Sequence, residues 1–179
     1  MTKIYLLDLN YTLASKCKMP FDRNGKWTGA YDPSVDQYCP VLVTYLKARE
    51  ILGEKVILIT ARPPEYKSAT LDNIRDRAKW DIQESYWKAG RQNVSDFKKA
   101  MAIEISQKHN IPFSEIVGIE SNAETREKYA SLGIKSFTRG DFLHKVMFSA
   151  PCNPAGCNPS AMDTCLRLIP ISAFTINSV

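Results

Sequence analysis

No apolar run in this chain approaches the roughly 20 residues that a membrane span needs, so no contact with a membrane is expected. A secretory leader is not expected either. The run Ile4-Tyr5-Leu6-Leu7 is too short for a signal-peptide core, and charged Asp8 interrupts it. Histidine is scarce, and neither of the two residues lies near a cysteine at zinc-ligand spacing. The five cysteines (Cys17, Cys39, Cys152, Cys157, Cys165) are odd in number and form no Cys-x-x-Cys pair. Free thiols in a reducing, cytoplasmic compartment are therefore expected. No internal repeat is visible.

The chain's 179 residues suffice for one domain with a real core, and 44% hydrophobic content is ordinary for a globular protein. A net charge of +5 permits contact with nucleic acid without demonstrating it.

Short apolar runs alternate with helical patterns. Lys3 to Leu7 reads as a buried strand ending at Asp8. Residues 15–38 mix Gly, Pro, Asn, Asp and Lys without a period and read as loop. Val41 to Leu52 has helical spacing and stops at Gly53. Val56 to Ile59 is a second strand, followed by Thr60-Ala61-Arg62-Pro63-Pro64. Ser68 to Ile82 reads as a helix with Leu71, Ile74, Ala78 and Ile82 on one stripe. A helix capped by Ser95 or Asp96 runs to His109. Ile116 to Ile119 and Ile134 to Phe137 are further strands, flanking a helix from Ala123 to Leu132 that Gly133 closes.

Continuous apolar strands between helices imply a parallel sheet covered on both faces. Ligands of such sheets bind beyond the carboxyl ends of the strands, which gathers Asp8, Thr60 and Glu120 at one edge. Residues 143–179 differ in character. Their Pro-, Asn-, Ser- and Cys-rich first part and apolar end suggest a poorly ordered extension or an edge element.

An aspartate at the end of a buried strand, before a tight turn, is how a nucleophilic carboxylate is presented at a sheet edge. The segment Leu6-Leu7-Asp8-Leu9-Asn10-Tyr11-Thr12-Leu13 resembles the first motif of the HAD phosphohydrolase superfamily, an apolar strand followed by Asp-x-Asp-Gly-Thr-Leu. Val56-Ile57-Leu58-Ile59-Thr60 resembles the second motif, Lys98 (with Lys99 next to it) the third, and Val117-Gly118-Ile119-Glu120-Ser121 the fourth. Joined together, the segments are similar to the 3′-phosphatase domain of T-even phage polynucleotide kinase over residues 3–142. Thr60-Ala61-Arg62, the segment Arg75 to Trp80, and Gly140-Asp141-Phe142 carry that similarity.

The resemblance implies a small α/β, Rossmann-like HAD domain without a large cap, since residues 15–40 allow only a loop or short flap. It implies that Asp8 is the nucleophile position, that Thr60, Arg62 and Lys98 meet phosphate, and that Asp8 and Glu120 would hold magnesium. Two catalytic positions depart from the family. Asn10 replaces the acid/base aspartate, and an amide neither gives nor takes a proton at neutral pH. General acid–base help is typically worth about a hundred- to ten-thousand-fold. Ser121 replaces a metal carboxylate, so any magnesium would be held weakly. Tyr11 also replaces the motif's glycine.

The resemblance thus implies one of two functions. One is a non-catalytic protein that binds nucleic acid (DNA or a phosphorylated end) or host RNA polymerase in the cytoplasm of an infected bacterium. The other is a weak magnesium-dependent polynucleotide 3′-phosphatase, with a water or Glu124 partly replacing the missing acid. Lys88, Arg91, Arg75 and Lys79, interleaved with Trp80, Tyr86 and Trp87, form either a nucleic-acid face or a solvated surface over core aromatics.

Overall fold

The computed structural model describes residues 3–18, 24, 26, 28 and 30–148. The chain divides into two units, Met1–His144 and Lys145–Val179. Of the second, the described residues are the last turn of a helix, so the expectation for residues 149–179, with Cys152, Cys157 and Cys165, lies outside the described residues.

Five strands build the sheet: β1 (Ile4–Leu7), β4 (Lys55–Thr60), β5 (Glu84–Trp87), β6 (Ile116–Ile119) and β7 (Lys135–Phe137). They lie in the order β5-β4-β1-β6-β7, and every pairing is parallel. Two more strands, β2 (Ala14–Lys16) and β3 (Gln37–Tyr38), pair antiparallel in a small flap after β1. The helices are α1 (Pro40–Ile51), α2 (Lys67–Ala78), α3 (Val94–Lys108), α4 (Ala123–Ala130) and α5 (Arg139–Phe148).

Alternation along the central strands assigns the two faces. Ile4, Leu6, Ile57, Ile59 and Ile116 pack with Phe97, Ala102 and Ile105 of α3 and Tyr129 of α4. On the other face Tyr5 meets Tyr45 of α1 and Phe142 of α5 edge-on, with ring centroids 6.4 and 6.1 Å away. Each such aliphatic or aromatic residue contributes roughly 1.5–3 kcal/mol through its removal from water. Gly118 leaves room for this packing, because a Cβ there would stand 2.9 Å from the Tyr129 ring.

Three expectations are corrected. The stretch 15–38 is not all loop, since it holds most of the flap. The helix expected over Ser68–Ile82 ends at Ala78, where Lys79 turns left-handed (φ 49°), and the chain re-enters the sheet as β5. This strand is half-buried and lies at the sheet edge, so it lacks the continuous apolar run that marks the inner strands. Helix α3 is capped by Asn93, whose Oδ1 accepts from the Ser95 and Asp96 amides at 2.7 and 3.1 Å. Ser95 is buried and pairs with Thr125 instead.

The order of the strands places the site. The chain builds outward from β1 through β4 to β5, then crosses back to β6 on the other side. β1 is therefore the switch point, where open α/β sheets bind ligands.

Candidate active site

Asp8 follows β1 directly, and its amide continues the ladder by donating to the Ile119 carbonyl at 3.0 Å. Leu7 is in register with both Leu58 and Ile119, so Asp8 and Glu120 stand side by side one residue on. Lys98 comes from the first turns of α3 and reaches between them. Its Nζ lies 2.7 Å from Asp8 Oδ1 and 2.6 Å from Glu120 Oε2. All three residues are at most 6% exposed. Asp8 Oδ2 accepts from the hydroxyls of Thr12 at 2.8 Å and Ser121 at 2.9 Å, and Glu120 Oε1 accepts from the Asn122 amide at 2.9 Å.

Two carboxylates here share one ammonium. Burial raises the Glu120 pKa, and repulsion from Asp8 adds to it. The Lys98 charge and the Asn122 amide oppose the rise, and the balance stands at about 7. Burial works against the Lys98 ammonium too, but Asp8 and Glu120 outweigh it and hold the Lys98 pKa above its ordinary value.

A second buried group adjoins the first. Arg62, 1% exposed, donates to Asn10 Oδ1 from Nε at 3.1 Å and from Nη2 at 2.8 Å. Its Nη1 meets Asp36 Oδ2 at 2.7 Å and Thr70 Oγ1 at 3.3 Å. The Tyr31 ring stacks against the guanidinium at 5.4 Å. Asp36 is fully buried, and its Oδ1 has no hydrogen-bond partner among the described residues. Burial pushes the Asp36 carboxyl pKa up, against the pull of Arg62.

The sequence-derived residues therefore fall into three sets. Asp8, Thr12, Lys98, Glu120 and Ser121 are in direct contact. Thr60 ends β4 next to them, buried, with its Oγ1 accepting from the Arg62 amide at 3.2 Å. Arg62 turns inward, with most of its donors committed to the protein, instead of facing an open site. Lys99 lies elsewhere and donates to Ser131. Glu124 is exposed in the first turn of α4.

The basic set does not form one surface. Lys88 and Arg91 follow β5 at the carboxyl edge, where the Lys88 amide donates to the Thr60 carbonyl at 3.1 Å. There an open groove of about 590 Å³ runs past Ala61, Pro63, Pro64, Glu65, Lys88 and Gly90. Arg75 and Lys79 sit at the far end of α2, roughly 15 Å along the helix from its start. Arg75 pairs with Asp72, and the Lys79 carbonyl accepts from Lys47. Trp80 is core, buried and donating to Glu50 at 2.7 Å, whereas Trp87 is half-buried on β5. Asp36 and Thr70 were not singled out in the sequence. Asp36 lies in a segment without periodicity, and nothing local marks it as the partner of Arg62.

The donor set does not fit a divalent cation. Magnesium needs several hard, negatively charged oxygens. Here Ser121 offers a neutral hydroxyl where a carboxylate would be needed, and its Oγ lies 2.9 Å from Asp8 Oδ2 and 3.2 Å from the Asn10 carbonyl. Lys98 already neutralises one of the two carboxylates. Among the described residues no group of three His, Cys, Asp or Glu could hold a metal ion.

No protein-family model matches the chain, and no curated protein matches it. Solved structures do. D,D-heptose 1,7-bisphosphate phosphatase from B. bronchiseptica, complexed with magnesium and phosphate, aligns with a TM-score of 0.55 at 10% identity, over 93% of this chain and 99% of its own. A chain of the Pnkp1/Rnl/Hen1 RNA repair complex aligns at 0.55 and 16% identity, over 76% of this chain and 42% of its own. A hypothetical protein from Xanthomonas campestris aligns at 0.50 and 14% identity, and this chain spans 63% of its length. These identities speak for the fold alone. The fold they share with this chain is a parallel α/β sheet with helices on both faces, with no large cap among the described residues.

Proposed function

We propose that this is a non-catalytic HAD-fold protein derived from a polynucleotide 3′-phosphatase. It holds nucleic-acid phosphates at the carboxyl edge of its sheet without cleaving them. The observation that carries this reading is Asn10, which stands at the proton-shuttle position with its amide oxygen fixed by two Arg62 donors. Asp8 adds to it through Oδ2, which already accepts from both Thr12 and Ser121. Lys88 and Arg91 supply cations at the same edge for a polynucleotide backbone. An Alc-like role, termination of host transcription by a phage protein that touches DNA and the host RNA polymerase, is the specific form we favour.

The test uses a 3′-phosphorylated oligonucleotide with magnesium. The full chain retains the oligonucleotide, releases no inorganic phosphate, and loses affinity steeply as salt rises. Retention of host RNA polymerase in a pull-down supports the transcriptional form. Metal-stimulated phosphate release that Asp8→Asn abolishes would overturn the proposal. It would establish the second reading, a weak magnesium-dependent 3′-phosphatase, which the intact Asp8–Lys98–Glu120 contact favours.

A further inference from the structure

Tyr11 has no part in the site described above. It sits in the turn between β1 and the flap, three residues beyond Asp8 and next to Asn10. The turn is tight: the Leu13 amide donates to the Asp8 carbonyl at 3.2 Å and the Ala14 amide to the Leu9 carbonyl at 2.8 Å. Such a turn forces Tyr11 into the left-handed region, φ 61°. A bulky residue is a genuine outlier there, and glycine would adopt the same conformation freely. The Tyr11 side chain is only half covered by the protein in return. It is 51% exposed, and among the described residues it has no ring partner and no side-chain hydrogen bond. A strained backbone that carries a half-exposed aromatic three residues beyond Asp8 points to a use outside the fold.

Neighbouring groups narrow that use. Asn10 is tied to Arg62. Arg62 lies between Ala61 and Pro63, which line the open groove together with Lys88. The Asn10–Arg62 contact thus ties the turn to the segment that lines the groove, with the Lys88 ammonium on the wall, donating to the Gly90 carbonyl at 2.7 Å, and a half-exposed ring on the turn. Cations beside an exposed ring are the means by which proteins hold single-stranded nucleic acid: the backbone meets the charge and a base stacks on the ring.

We propose that Tyr11 is a stacking platform for an unpaired nucleobase at the end of a polynucleotide strand. This rests on the nucleic-acid reading above and adds a subsite to it. Stacking needs an aromatic plane and not a hydroxyl, so Phe and Trp replace Tyr11 and Leu does not.

The test measures anisotropy of a labelled single-stranded oligonucleotide ending in a 3′-phosphate, beside the same oligonucleotide with an abasic terminal residue. For the full chain, the abasic end weakens binding by about five- to a hundred-fold, the range base–aromatic stacking spans. Tyr11→Leu weakens binding to the intact end by a similar factor and no longer distinguishes the two oligonucleotides. Tyr11→Phe and Tyr11→Trp bind as the native protein does. Tyr11→Gly lowers affinity while raising the melting temperature, because it removes the left-handed strain. A ring that served only the fold would shift both in the same direction. Equal affinity of Tyr11→Leu and native protein for the intact end overturns the inference and leaves the nucleic-acid reading standing. No binding of either oligonucleotide by the native protein overturns both. A lower melting temperature for Tyr11→Gly also counts against the inference.

Discussion

Glu120 makes the stability of this protein depend on pH in an unusual direction. Its carboxyl titrates at about 7, against 4.5 for an unhindered glutamate, because it is buried beside Asp8. The folded state therefore binds this proton more tightly than the unfolded state does. The stabilisation is complete below 4.5 and is lost as pH rises through 7. At about 1.4 kcal/mol per pH unit the gap amounts to about 3 kcal/mol, most of which falls between pH 5 and pH 8. Lys98 does not offset this loss. Its raised pKa gives stability that is fully present below 10.5 and disappears only in stronger alkali. The perturbation is Glu120→Gln, which cannot ionise and keeps one acceptor oxygen, enough for either Lys98 or the Asn122 amide. Urea unfolding of both proteins at pH 5 and pH 8 is the assay. Native protein should lose about 2–3 kcal/mol more than the variant over that interval, equivalent to about 5–10 °C in melting temperature for a domain of this size. Effects from groups away from the cluster, Asp36 among them, are common to both proteins and cancel. Identical pH slopes for the two proteins would refute the assignment of the shift to Glu120.

Two further outcomes follow from the same contacts. Arg62→Ala leaves the Asp36 carboxylate buried without its ion-pair partner, a loss of about 3–5 kcal/mol that chemical denaturation would detect. Magnesium leaves the melting temperature of native protein unchanged, whereas Ser121→Asp substitutes a carboxylate for the bridging hydroxyl and gives a magnesium-dependent rise measurable by calorimetry.

What could be read from the sequence followed from burial on both faces of a sheet. β1, β4 and β6 are continuous apolar runs, so their ends, and with them Asp8, Thr60 and Glu120, could be located from the pattern alone. Periodicity locates the helix that carries Lys98, but Lys98 itself was singled out only through the resemblance to the third motif. β5 was hidden because an edge strand need not be apolar throughout. The spacing of Leu71, Ile74, Ala78 and Ile82 also continues a helical stripe past the point where Lys79 ends the helix. The inward turn of Arg62 was not legible either. It depends on Asp36 and Thr70, which reach it only once the flap and α2 have packed. A guanidinium beside a phosphate motif looks the same in sequence whether it faces the ligand or the core.

The strand order also governs when the ion cluster can exist. A growing chain delivers Asp8 first and Lys98 some ninety residues later, and Glu120 arrives only with β6 on the opposite flank of β1. Until then an ammonium and a carboxylate destined for the interior remain in water, where their attraction is weak. Assembly of the cluster is thus a late event in synthesis. A fragment ending before residue 116 would lack β6 and β7, and β1 would be left as an open sheet edge prone to pairing with other chains.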